Sequence, residues 1–136
     1  MKARYGWIAA IVLFLVSVVT PAFGGSYLDR ATLLLDGSER DLAMIGAHMT
    51  DKELATMVEV IADARLKAAS KMVIPTSIAK AHPHLLLVLE HTERAADAAK
   101  DGNFTTAREH LDDAEREDRM FRAQMSELGF PLPASS

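Results

Sequence analysis

Five histidines, His48, His82, His84, His91 and His110, carry the widest chemical reach in this chain, because imidazole is the usual transition-metal ligand once thiolates are absent. No cysteine occurs, which removes thiolate metal sites, a disulfide framework, a lipid-anchored cysteine and covalent c-type haem attachment. His91 and His110 fall on two successive helical segments joined by Asp101-Gly102-Asn103. If those segments fold back on each other, the two rings lie within about 4 to 6 Å along the axis, by the helical rise. Asp113 is one turn from His110. His91, His110 and Asp113 are therefore a candidate two-histidine, one-carboxylate metal site, provided both rings turn into one groove. The alternative is a pair of solvated flank histidines, since neither sits on an apolar stripe.

Other constellations are weaker. His82 and His84 flank Pro83 with no third ligand near in sequence. The Glu-x-x-His pairs that build di-iron centres in ferritin-like bundles are absent. Met44, Met49, Met57, Met72, Met120 and Met125 could offer thioethers to copper, yet Met49, Met72 and Met125 fall on core stripes, where methionine fills gaps. Asp118 stands on an otherwise apolar stripe and must find a partner or shift its pKa. Its distance from the start of its helix matches that of Arg65, so Asp118 and Arg65 are a candidate polar pair across the core. A surface pairing of Asp118 with Arg122, one turn on, is the simpler reading and is preferred. No Gly-x-Ser-x-Gly turn, phosphate-cradling glycine loop or motif-placed carboxylate pair occurs, and the chain reads as non-enzymatic.

Four helices must position these groups. Leu28, Ala31, Leu35, Ser38, Leu42, Ile45 and Met49 repeat at three-four spacing and predict one helix that runs through Gly37, at a cost of about 1 kcal/mol against alanine. Thr50 is expected to cap the second helix, with Glu53 closing a capping box. Leu54, Val58 or Met57, Ile61, Ala64 or Arg65, Ala68 and Met72 carry its stripe, and Pro75 ends it. The third helix starts at Ser77 or Pro83 and ends at Gly102; Asn103 caps the fourth, whose stripe runs Phe104, Ala107, Leu111, Ala114, Asp118, Phe121, Met125 and Leu128 before Gly129 and Pro131 stop it. Short links force antiparallel neighbours. The expected fold is all-α, an antiparallel up-down-up-down four-helix bundle over residues 25–130, with a flexible tail at 131–136.

Residues 1–24 read as a signal peptide. Lys2 and Arg4 precede the apolar run Trp7 to Val19, and small residues at Ala22 and Gly24 suit cleavage after Gly24, or else after Ala22. The run is short for a spanning helix, so an uncleaved membrane anchor is the lesser alternative. Of 15 basic residues, two lie in the leader, which has no acid; the other 13 face 19 acidic residues, a net charge of −6. That balance speaks against nucleic acid. The expected location is periplasmic or secreted.

The leader, the absence of cysteine, the four helices and the segment Ala98-Ala99-Lys100-Asp101-Gly102-Asn103 leading into Ala107, Leu111, Ala114 and Phe121 resemble the cytochrome b562 family over the whole mature chain. The resemblance implies a four-helix bundle. That family holds haem between a methionine early in its first helix and a histidine near the end of its last. Here Tyr27 to Leu35 contains no methionine, and the last turns of helix four offer Arg122 and Met125 but no histidine. The functional expectation is an exported, non-enzymatic binding protein for another protein or a small apolar ligand, without a cofactor; the alternative is a zinc, copper or haem carrier. Self-association is a further expectation, through small-residue stripes such as Ala95 to Ala99.

Overall fold

A computed structural model describes residues 26–134, and the signal-peptide reading falls outside the described residues. Four α-helices make up the fold: α1 over 26–47, α2 over Lys52–Ser70, α3 over His82–Lys100 and α4 over Phe104–Glu127, with a 3₁₀ turn at Thr76–Ile78 before α3. Among the described residues there is no strand. The architecture is the expected all-α four-helix bundle.

Local chemistry sets the boundaries. Asp51, not Thr50, caps α2: its carboxylate accepts from the Leu54 amide at 3.0 Å. Both residues suit an N-cap, and the carboxylate adds a favourable charge at the positive helix end. Asn103 caps α4 as expected, accepting from the Thr106 amide. Gly102 and Gly129 take positive φ, 76° and 89°, which releases α3 and α4 into their closing turns. Past Gly129 the chain turns back, with the Phe130 amide donating to the Met125 carbonyl at 2.8 Å. Among the described residues that follow, Leu132 packs on the core and Arg122 donates to the Pro133 carbonyl.

The core is two apolar clusters separated by a polar layer. One holds Tyr27, Ala31, Leu35, Ile78, Leu85, Leu89, Phe121 and Met125; the other holds Ile45, Ala55, Val58, Ala95, Ala99, Ala107 and Leu111. Between them, in sequence, come the buried Ser38, Asp41 and Thr92. The Thr92 hydroxyl donates to the Val88 carbonyl and so receives the Ser38 hydroxyl proton, tying α1 to α3. Ala95, Ala96, Ala98 and Ala99 are spent inside the second cluster, so the stripe expected to drive self-association is internal.

Each seam of the ring carries an ion pair or its histidine equivalent. Asp41 with Arg65 joins α1 to α2, Glu59 with Lys100 joins α2 to α3, His84 with Glu117 joins α3 to α4, and Glu39 with Arg122 closes α4 on α1. The cross-core pair of Asp118 with Arg65 does not form, and the surface pairing of Asp118 with Arg122 does. Arg65 donates to Asp41, while Asp118 is held by Arg122 one turn away at 3.0 Å. Asp41 reaches Arg65 from the neighbouring helix, while Arg122 lies on Asp118's own helix within easier reach. Gly37 makes room for that arrangement, since a Cβ there would lie 2.6 Å from Arg65 Nε.

Candidate metal centre

Gly102 turns α3 back along α4, and the hairpin register decides which side chains meet. His91 Nδ1 and His110 Nδ1 approach to 3.1 Å, with ring centroids 5.3 Å apart and planes tilted by 34°. Asp113, three residues after His110, places Oδ2 at 4.0 Å from His91 Nδ1. One ligand atom from each of the three lies within 4.8 Å of the others, and all three residues are half-buried. The sequence-based triad His91, His110 and Asp113 is thus assembled in space, between α3 and α4.

The geometry suits a small divalent ion. At a metal–nitrogen length of about 2.05 Å, a tetrahedral edge is about 3.3 Å and a cis square-planar edge about 2.9 Å. The 3.1 Å between the Nδ1 atoms falls between these values. Asp113 must swing inward to complete a ligand set. Its other oxygen, Oδ1, accepts from Arg116 at 2.6 Å, an outer-shell contact that orients the carboxylate and competes for its charge. Three protein ligands leave a fourth position for water or an incoming donor.

Without metal, an Nδ1–Nδ1 contact this short requires one ring to donate its proton and the other to accept it. Burial lowers the His91 pKa, the His110 ring adds to the lowering, and Asp113 and Glu90 oppose it. A ring held neutral is a ring ready to bind metal, because proton and metal compete for one lone pair.

The site belongs to a longer polar seam that sequence reading missed. Moving seven residues back along α3 and seven forward along α4 carries His91–His110 onto His84–Glu117, where His84 Nδ1 and Glu117 Oε2 meet at 2.6 Å. Seven more along α4 reach Gln124, whose Nε2 lies 3.3 Å from His84 Nε2. The signal was the heptad spacing of His84 and His91 on one helix and of His110, Glu117 and Gln124 on the other.

His82 is engaged elsewhere. Its Nδ1 meets the Tyr27 hydroxyl at 2.9 Å, and both residues are buried. Burial pushes the tyrosine up to about 12 and lowers the histidine, which the Ala69 carbonyl partly offsets. The methionines do not converge: Met49 packs on one apolar cluster, Met72 and Met125 on the other, and Met44, Met57 and Met120 are exposed. The start of α1 and the end of α4 share a core filled by Tyr27, Leu85, Phe121 and Met125, and the nearby imidazole of His82 is bonded to Tyr27. The chain matches no known family model, no curated protein and no solved structure.

Proposed function

We propose that this protein is a non-enzymatic, exported binding protein that holds one divalent transition-metal ion, zinc or copper, between α3 and α4. The observation that supports this reading most is the convergence of His91, His110 and Asp113, with ligand atoms within 4.8 Å of one another. Two imidazoles and one carboxylate favour borderline ions over calcium or magnesium, which take all-oxygen sets. All three residues are only half-buried, which leaves the fourth position within reach of a donor and suits a carrier that must load and release. The basic, apolar, small-residue order of residues 1–24 supports delivery outside the cytoplasm. No helix among the described residues is long and apolar enough to cross a membrane.

Isothermal titration with zinc and with copper(II) tests the proposal. One ion per chain, bound by the native protein and lost in His91→Ala and His110→Ala, is the expected result. Unchanged binding in both variants refutes it. A second reading, capture of a small apolar ligand or a partner helix, is favoured by an open groove lined by Leu33, Leu34, Ala68 and Met72 with Arg30 at its edge.

A further inference from the structure

The outer face of α2 is apolar where a solvent-facing helix is normally charged. Met57, Val60, Ala64 and Ala68 recur at helical spacing with Ile61 beside them, all exposed, Met57 at 62% and Val60 at 65%. Isolated surface apolar residues need no explanation, but a contiguous stripe of three turns does. The core face of the same helix is separately occupied by Ala55, Val58, Ala62 and Ala69, so this stripe is surplus to the fold.

We propose that the α2 stripe is a homodimer interface, in which two copies of this chain pair their α2 helices antiparallel about a two-fold axis near residue 62. The charge pattern selects this occupant and this direction. Glu53 lies one turn before the stripe and Lys71 follows it, both exposed and on the face that carries Met57 and Ala64. A two-fold near residue 62 sets Glu53 of each copy against Lys71 of the other, and Val60 against Ala64. Val60 thus meets Ala64 in the middle, Met57 lies level with the aliphatic stem of Lys67 and Ala68 with Thr56, and opposite charges meet at both ends. Parallel pairing would set Glu53 against Glu53 and Lys71 against Lys71. An isologous contact of this kind closes at two subunits. Alanine at 64 and 68 lets the helices approach closely, and Lys67 is drawn toward Asp63 of its own helix at 2.7 Å.

Sedimentation equilibrium on protein purified from cells expressing the full chain, with chelator present, reads the association directly. A dimer at roughly 100 µM is expected, with Val60→Glu weakening it at least tenfold. Glu53→Lys and Lys71→Glu should each weaken it, and the double exchange Glu53→Lys with Lys71→Glu should restore it. All these positions are exposed, and circular dichroism confirms that the variants remain folded. A monomer throughout the range overturns the proposal, as does a dimer indifferent to Val60→Glu or a double exchange that fails to rescue. A monomer that cosediments with lipid vesicles would assign the stripe to a membrane surface and also overturn it.

Discussion

Replacing Gly37 by alanine reverses an ordinary rule. An interior helical glycine costs about 1 kcal/mol relative to alanine, so the substitution should stabilise α1 by that amount. The new Cβ, however, falls 2.6 Å from Nε, 2.7 Å from Cζ and 2.9 Å from Nη2 of Arg65. The guanidinium has to withdraw, and its carboxylate partner Asp41 is buried, with a side chain only 3% exposed. Burial already pushes the Asp41 carboxyl up against the pull of Arg65 and, more weakly, Arg40. Removing one partner of a buried pair costs about 3–5 kcal/mol. Arg65 is partly exposed and can retain some of the contact, so a net loss of about 1–3 kcal/mol is expected once the helix gain is subtracted. Urea unfolding followed by circular dichroism measures this. In an Asp41→Asn, Arg65→Met background the same Gly37→Ala change should gain about 1 kcal/mol. If Gly37→Ala stabilises the native protein as much as it stabilises that background, the close-approach argument is wrong.

Other perturbations separate the remaining interactions. Asp113→Asn should weaken zinc binding by more than the roughly tenfold typical of losing an outer-shell partner, and His110→Ala by more still, as read by competition with a chromogenic chelator. Zinc affinity should fall in acid, where protons compete with the ion for the His91 imidazole, and burial of that ring moves the fall below the ordinary histidine range. Stability should fall over the same range: His82 and His91 have pKa values below those of the unfolded chain, so the unfolded state takes up protons first. Tyr27 acts at the other extreme. With its folded value raised to about 12 against 10.0, its stabilisation is complete below pH 10 and is lost as pH rises through 12, a change of about 2–3 kcal/mol. Tyr27→Phe should flatten that alkaline limb in urea melts. Asp118→Asn, which breaks only a same-helix contact to Arg122, should change stability by no more than about 0.5 kcal/mol.

Periodicity made the helices readable, because stripes such as Ala107, Leu111, Ala114, Phe121 and Met125 are written directly into the chain and are the residues buried in α4. The turn residues Gly102, Asn103 and Gly129 were legible for an equally local reason: backbone conformation and capping depend on one residue and its immediate neighbours. The His91–His110 approach followed from helical rise and one tight turn. Pairings between elements without such a ruler were not legible. Asp41 sits beside the stripe residue Leu42, and nothing local reveals that it, rather than Asp118, meets Arg65. The same holds for Tyr27 with His82, far apart in sequence, and for the α2 face, whose apolar residues cannot be told from core residues until the neighbours of α2 are placed.

The most direct test of metal capture is to titrate zinc into the ¹⁵N-labelled protein and follow the imidazole nitrogens by long-range proton–nitrogen correlation. Saturation at one equivalent, with Nδ1 of His91 and of His110 moving together while His48 and His82 stay in place, is the predicted result. Saturation that leaves His91 and His110 unmoved, or no saturable change in any ring, would contradict it.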